Sequence, residues 1–226
     1  MTDIHFLGHA TFELGDGNTT VLIDPFLTGN PLAAVSADEL SPDVILLTHG
    51  HSDHFADLVP IAKRTGATVI TMLEIAHELQ QDGLDNVIGP NIGGRIEFPG
   101  GAVKLVPAWH SSSTPKGTAS TATGLIVEFG GATIYHLGDT GLFGDMELIG
   151  RRHAIDVALV PIGGFFTMDV DDAVEAVRMI GPRQVIPCHY NTFPAIQVDV
   201  ADFKAAVERE TATEVVVLEP GETHAV

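Results

Sequence analysis

The sequence has little cysteine, little positive charge and no long apolar run. The single cysteine, Cys188, excludes an intramolecular disulfide and a cysteine-based zinc knuckle. Lys and Arg number 11 against 30 Asp and Glu, and the resulting formal charge of −19 disfavours nucleic acid and anionic membranes as partners. The longest apolar stretch, residues 157–166, is shorter than the roughly 18 residues of a membrane span. The first residues do not read as a signal peptide, so we expect a cytoplasmic protein.

What the sequence has in abundance is histidine. The chain of 226 residues contains 11 histidines, as many as Lys and Arg together, and 45 % of its residues are apolar. The composition is that of a globular protein, and no linker or low-complexity tract divides the chain, so we expect one domain over residues 1–226. The excess of histidine in an acidic chain indicates metal binding.

The apolar pattern predicts strands that end in polar, chemically active residues. Two hairpins are indicated by the turn residues 15–18 and 130–131, and residues 44–47 read as a strand buried on both faces. Helices are predicted over residues 55–64 and 73–81, after the N-cap Asp169, and from residue 200, with a last strand over residues 215–218. This alternation favours an α/β fold of two packed sheets with helices outside them.

The segment His49-Gly50-His51-Ser52-Asp53-His54 places three imidazoles and a carboxylate on one strand-to-helix turn. Imidazole nitrogen and carboxylate oxygen are ligands for Zn²⁺ and similar cations. Neighbouring side chains on a tight turn point in different directions, so His49 and His51 can face one ion while Asp53 and His54 face a second. Further candidate ligands follow other predicted strands, namely His110, Asp139 and His189.

This order of residues resembles the metallo-β-lactamase superfamily. The segments GHATFEL, LIDPF, TIYHLGDT and PCHYNTFP resemble its small metal-dependent hydrolase branch, the UPF0173 or UlaG-like proteins. The resemblance covers nearly the whole chain and implies an αββα sandwich of two mixed sheets. It also implies a binuclear site in which His49, His51 and His110 hold the first metal, Asp53, His54 and His189 hold the second, and Asp139 bridges both.

Such a site predicts a hydrolase. Two divalent ions can present a shared hydroxide at neutral pH and polarise the scissile group, so we expect hydrolysis of a small-molecule ester, lactone or phosphodiester. Asp139 then acts as the bridging catalytic carboxylate, and Asp53 acts as a proton shuttle to the leaving group. Zinc fits the ligand set best, while manganese, nickel or iron would also fit it.

Three further residues have both a functional and a structural interpretation. Asp24 either accepts the N–H of a ligand histidine or is a turn residue before Pro25. His9 either lines the cleft and orients the bridging water or is a hydrogen-bonded turn histidine. Asn191 either donates a hydrogen bond to the substrate or caps its own turn.

Two other functions use the same ligand types. One is an iron-dependent redox enzyme, persulfide dioxygenase or flavodiiron-like, because the implied scaffold also carries that chemistry. The other is a metal-stabilised binding module with little turnover. In each case the expected partner is a small molecule, and a homo-oligomer is compatible with the sequence.

Overall fold

The fold is built on two seven-stranded sheets packed face to face. The structure, a computed structural model, describes residues 1–226. The strands of the first sheet are β1 (Asp3–Gly8), β2 (Thr11–Gly15), β3 (Thr20–Ile23), β4 (Val44–Leu46), β5 (Thr68–Ile70), β6 (Val87–Ile88) and β14 (Thr223–Ala225). Those of the second are β7 (Arg95–Phe98), β8 (Gly101–Pro107), β9 (Thr123–Phe129), β10 (Ala132–His136), β11 (Val157–Pro161), β12 (Gln184–Cys188) and β13 (Glu214–Val215).

Both sheets are mixed. Their strand orders are β14-β1-β2-β3-β4-β5-β6 and β13-β12-β11-β10-β9-β8-β7. In the first sheet β14, β1, β2 and β3 pair antiparallel, whereas β3 to β6 pair parallel. In the second sheet β7 to β10 are antiparallel and β10 to β13 are parallel. The fold expected from the sequence is therefore confirmed.

The helices cover the outer faces of the two sheets. They are α1 (Ser52–Phe55), α2 (Leu58–Thr65), α3 (Leu73–Gln81), α4 (Asp145–Arg152), α5 (Val170–Ile180) and α6 (Val200–Glu210). Side chains alternate along each strand, so Leu46 packs between the sheets while Ile45 packs against α2 and α3. In the second sheet Ala158 faces α5 and α6, and Leu159 faces the other sheet. No helix is both long and apolar enough to cross a membrane.

Several predicted elements need correction. The helix predicted over residues 55–64 is two helices, α1 and α2, because the chain turns at Asp57, whose carboxylate accepts hydrogen bonds from Leu27 and Thr28. The predicted strand 215–218 is shorter, as β13 ends at Val215. The sequence interpretation missed β6, β7, β14 and α4. Helix α4 contains Gly150, a poor helix former, where an added Cβ would lie 2.1 Å from the carbonyl oxygen of Ile180.

The segments that follow the strands place the candidate site residues along one edge of both sheets. Asp24 follows β3 and His49 lies three residues after β4 in the first sheet. In the second sheet His110 lies three residues after the end of β8, and Asp139 lies three residues after the end of β10. His189 directly follows β12. Because the carboxyl ends of neighbouring parallel strands lie at the same edge of a sheet, these side chains meet there.

Candidate metal centre

The turn after β4 carries four of the candidate ligands. His49 is fully buried, His51 is the residue before α1, and Asp53 and His54 lie in its single turn. The turn is held tightly against the segment 113–114, since a Cβ at Gly50 would lie 2.9 Å from the backbone nitrogen of Thr114. A side chain at position 50 would therefore displace this turn from the segment that follows His110.

The first group of ligand atoms consists of His49, His51 and His110. Nε2 of His49 lies 3.0 Å from Nδ1 of His51, and Nε2 of His110 lies 3.3 Å from that same Nδ1. His110 is brought here from the second sheet by the segment after β8, where the backbone N–H of Trp109 donates to the Thr140 hydroxyl at 2.9 Å. These are the three residues that the resemblance to the metallo-β-lactamase superfamily implied for the first metal.

The second group consists of His9, Asp53, His54 and His189, whose ligand atoms all lie within 4.8 Å of one another. Oδ2 of Asp53 lies 3.3 Å from Nε2 of His9 and 3.8 Å from Nε2 of His189. Three of the four residues were implied for the second metal. His9 is an addition to that set, because the sequence interpretation left its role open.

Asp139 lies between the two groups. Its Oδ2 is 3.8 Å from Nε2 of His49 and 3.6 Å from Nε2 of His110, which belong to the first group. The same carboxylate approaches the second group, with Oδ2 3.2 Å from Nε2 of His189 and Oδ1 3.3 Å from Nε2 of His54. One carboxylate thus faces histidines of both groups, which is the arrangement needed to bridge two ions.

The spacing of these atoms fits metal ligation better than hydrogen bonding. Nε2 of His54, Nε2 of His189 and Oδ1 of Asp139 are buried without a hydrogen-bond partner, although each lies near another polar atom. Such orphaned atoms are costly in a protein interior. Four ligands bound tetrahedrally at about 2.0–2.1 Å would lie about 3.3 Å apart, close to the separations observed here. The residues present therefore fit one divalent ion in each group.

Asp24 orients two of the candidate ligands, His54 directly and His49 through Thr48. Its buried carboxylate accepts hydrogen bonds from the Thr48 N–H at 2.8 Å, the Thr48 hydroxyl at 2.6 Å and Nδ1 of His54 at 2.7 Å. The Thr48 hydroxyl thus has no proton left for His49, so we assign the 3.0 Å contact as a donation from Nδ1 of His49. In the neutral form that ligation requires, both histidines then carry their proton on Nδ1 and direct the Nε2 lone pair into the site.

Asp24 therefore lies behind the candidate ligands rather than between them. It groups with His49 and His54 by distance alone, but all of its contacts to His54 involve the nitrogen that faces away from Asp139. This geometry matches the functional interpretation of Asp24, in which it accepts the N–H of a ligand histidine.

His9 is fully buried against the second group. Its Nδ1 lies 2.8 Å from the Thr192 hydroxyl, and its Nε2 faces Asp53. Its ring centroid is 4.0 Å from that of His189. His9 therefore lies at the centre, in contact with two candidate ligands, and is more than a turn histidine.

The structure does not bring Asn191 into the centre. The Asn191 amide nitrogen donates to the Val198 carbonyl at 3.1 Å, and its oxygen accepts from the Val198 N–H at 2.8 Å. Both ends of the amide are used within this loop, which corresponds to the structural interpretation. His136 is also outside the ligand set, since it accepts from the Gly138 N–H through Nδ1 and donates to the Ala10 carbonyl through Nε2.

Three residues of the centre have left-handed backbone conformations. The φ angles are 60° at His9, 47° at Asp24 and 52° at His189. Such conformations are uncommon for residues other than glycine, and they concentrate where the surrounding structure imposes them for function. The strain and the candidate ligand chemistry coincide at this edge of the sheets.

The charges of the metal-free centre are strongly coupled. Burial alone would lower the pKa of His54 and His189, but the carboxylate of Asp139 reverses this, raising the pKa of His54 well above its usual value and that of His189 to about 9. Burial opposes ionisation of Asp139, yet the two histidines hold its pKa well below the usual range. For His9 burial dominates and lowers the pKa to about 4.

A cavity of about 960 Å³ opens onto the centre. Candidate ligands line part of it, namely His51, Asp53, His110 and Asp139. A cavity of this size accommodates a small molecule.

Comparison with known proteins assigns the family. Residues 19–190 match the sequence model of the beta-lactamase superfamily domain. The chain belongs to this superfamily. Within it, the chain is one of the UPF0173 metal-dependent hydrolases, as expected from its motifs. It is 48 % identical to such a protein of Pelotomaculum thermopropionicum, over 97 % of this chain and 98 % of the relative. It is 49 % identical to another of Methanopyrus kandleri, over 98 % of each chain.

Among solved structures, this UPF0173 protein is similar to Igni18, a metallo hydrolase of Ignicoccus hospitalis. The two chains are 39 % identical and superpose with a TM-score of 0.91, over 99 % of this chain and 97 % of Igni18.

Proposed function

We propose that this protein is a binuclear metal-dependent hydrolase that cleaves an ester, lactone or phosphodiester bond of a small molecule. The observation that carries the proposal is the pair of ligand groups with Asp139 between them, because its carboxylate lies within 3.8 Å of histidines in each group. The family supports the hydrolytic class, and the donor set of imidazoles and carboxylates favours zinc, with manganese, nickel or iron as alternatives.

Divalent ions bound in this centre would lower the pKa of a bound water towards neutrality and polarise the carbonyl or phosphoryl oxygen of the substrate. The residues of the chain supply the remaining functions. Asp24 and Thr48 hold two imidazoles in the protonation state that ligation requires. The buried position of Asp139, 3 % exposed, keeps its carboxylate fixed between the two groups.

Asp53 is the proposed proton carrier. Its side chain is 25 % exposed and lines the cavity, so its carboxylate reaches the space where a leaving group would depart. The neighbouring Nε2 of His9, 3.3 Å away, fixes the orientation of Oδ2. Asp53 would thus accept a hydrogen bond from the nucleophile and pass a proton to the leaving group.

We also propose that the protein acts in the cytoplasm on small molecules rather than on nucleic acid, a preference supported by its formal charge of −19.

Metal analysis combined with a hydrolysis assay tests the proposed function. Protein purified without a metal-affinity column should contain about two equivalents of zinc or manganese, and His110→Ala should lose one of them together with hydrolysis of a panel of esters, lactones and phosphodiesters. His77→Ala is the matched control, because His77 is an exposed histidine on α3. Its metal content and activity should equal those of the wild type.

Other outcomes of this experiment would support a redox enzyme or a binding module instead. Predominant iron with turnover that requires oxygen would replace the hydrolase by a redox enzyme. Tight metal binding with no turnover of any substrate in the panel would favour a binding module. Absence of bound metal in wild-type protein that has been supplied with zinc would refute the binuclear centre.

A further inference from the structure

The walls of the cavity beside the centre are largely aromatic and apolar. Phe26 and Phe193 lie on one side with their ring centroids 6.3 Å apart, and each packs edge-on against His9. Phe166, Ala56, Pro194 and Ala195 complete the apolar lining. The apolar surface is therefore continuous with the candidate ligands.

Phe166 is a large apolar side chain that is not buried in the core. Half of its surface is accessible, and it lies beyond a tight turn in which Gly164 and Phe165 have φ angles of 65° and 39°. The turn presents the ring at the mouth of the cavity rather than burying it in the core. Exposed aromatic side chains beside a concave site are typical of ligand contacts.

The cavity contains no positive side chain. None of its lining residues is Lys or Arg, and its ionisable residues are the four candidate metal ligands His51, Asp53, His110 and Asp139. Lys63 and Lys116 line a separate cavity next to α3, where Lys116 pairs with Asp82. A negative group on the substrate could thus be compensated only at the reacting bond itself, while elsewhere the strongly acidic chain would repel it.

We propose that the substrate is uncharged away from the cleaved bond and carries an apolar alkyl or aromatic group, which binds against Phe26, Phe166 and Phe193. This inference rests on the proposed hydrolytic function and specifies its substrate class. It excludes substrates whose recognition depends on a phosphate or carboxylate remote from the cleaved bond, because no basic side chain is present to bind such a group.

A binding experiment tests the apolar site independently of catalysis. N-phenyl-1-naphthylamine is a neutral probe that fluoresces in apolar surroundings, and metal-free protein should bind it saturably. Phe166→Ala should weaken binding roughly fivefold to tenfold, as expected when on the order of 50 Å² of apolar contact is lost. Leu148→Ala is the control, because Leu148 is a similarly exposed apolar residue on α4 outside the cavity, and it should change binding less than about twofold. Equal binding by the wild type and Phe166→Ala would overturn the inference.

A substrate series then tests selectivity in the metal-loaded enzyme. For p-nitrophenyl esters, kcat/KM should rise from acetate to butyrate to hexanoate, and the succinate monoester, an anionic analogue of the butyrate, should be hydrolysed at least tenfold less efficiently. Phe166→Ala should flatten this series mainly through KM. Equal use of the succinate and butyrate esters would overturn the inference.

The two proposals fail in different ways. If the probe binds at Phe166 but the zinc-loaded enzyme hydrolyses no ester, lactone or phosphodiester, the hydrolytic function is wrong. If esters are hydrolysed but neither the probe nor the ester series depends on Phe166, the hydrolase stands and the proposed substrate class is wrong.

Discussion

Replacement of Asp24 by asparagine should remove one ion from the centre without removing any ligand. The Thr48 backbone N–H needs an acceptor, so the asparagine oxygen must take the position of Oδ1. The amide NH₂ then replaces Oδ2, which in the wild type accepts from the Thr48 hydroxyl and from Nδ1 of His54. Facing a donor, Nδ1 of His54 must give up its proton, and the proton moves to Nε2, the atom that would bind the metal.

The expected loss follows from this change of tautomer. Disturbing the support of a metal-binding histidine typically weakens metal affinity 10- to 100-fold, or about 1.4–2.7 kcal/mol. The ion held by His54 should therefore be lost first in a competition with a chromophoric chelator, because His54 loses its acceptor directly. The ion held by His49, His51 and His110 is affected only through the Thr48 hydroxyl and should be retained more tightly. Element analysis after dialysis against the chelator should fall from about two equivalents towards one.

Asp57→Asn is the matched control. Asp57 is also a buried carboxylate with three donors, since it accepts from the backbone N–H groups of Leu27 and Thr28 and from the Thr28 hydroxyl, but it contacts no histidine. The substitution should lower the free energy of unfolding by about 1–3 kcal/mol and leave metal affinity unchanged. Wild-type affinity for both ions in Asp24→Asn, or equal losses in the two variants, would refute the reasoning.

Three further predictions concern proton release on zinc binding, the stability of two glycine variants and the reactivity of Cys188. In the metal-free protein the raised pKa values of His54 and His189 keep both side chains protonated at pH 7. Zinc binding should therefore release protons, which a pH indicator in weak buffer would detect, and the affinity of the protein for zinc should rise with pH up to about 9. The absence of proton release would contradict the assigned charges. Gly138→Ala and Gly181→Ala both place a side chain at left-handed backbone, with φ angles of 63° and 64°, but only the Cβ at position 138 also meets a carbonyl oxygen, that of Thr123, at 2.7 Å. Urea unfolding should show that the free energy of unfolding falls by about 1–2 kcal/mol in Gly181→Ala and by about 1–3 kcal/mol more in Gly138→Ala. Equal losses would contradict the close approach at position 138. Cys188 is buried between the sheets, where desolvation raises its pKa, so it should react with a disulfide reagent at pH 8 only after unfolding, and rapid labelling of the native protein would contradict its burial.

Strand ends and short-range patterns were the predictable part of the structure. The prediction of α3 over residues 73–81 agrees with the observed bounds, and the hairpin predicted to turn at residues 130–131 lies between β9 and β10. Both elements have a regular apolar pattern and clear turn residues beside them. The placement of His49, His110, Asp139 and His189 after strands follows from the same pattern, because each buried apolar run stops where polar residues begin.

The role of His9 could not be predicted in the same way. Its hydrogen-bond partners are Asp53, 44 residues away, and Thr192, 183 residues away, so no local pattern relates them. Its side chain enters the centre because Gly8 and His9 have φ angles of 107° and 60°, which bend the chain sharply between β1 and β2. Of these two residues, only Gly8 indicates a left-handed turn in the sequence, because glycine favours positive φ.

The contacts of their side chains, rather than their backbone conformation, explain why three strained positions of the centre are not glycine. A left-handed conformation at His9, Asp24 and His189 costs about 1–2 kcal/mol each relative to an ordinary one, and glycine would remove that cost. Glycine would also remove an imidazole or carboxylate whose polar atoms lie within 3.3 Å of a partner in the centre. The protein therefore retains local strain at the three turns that direct these side chains inward, and the packing of two sheets over a shared apolar core supplies the stability that offsets it.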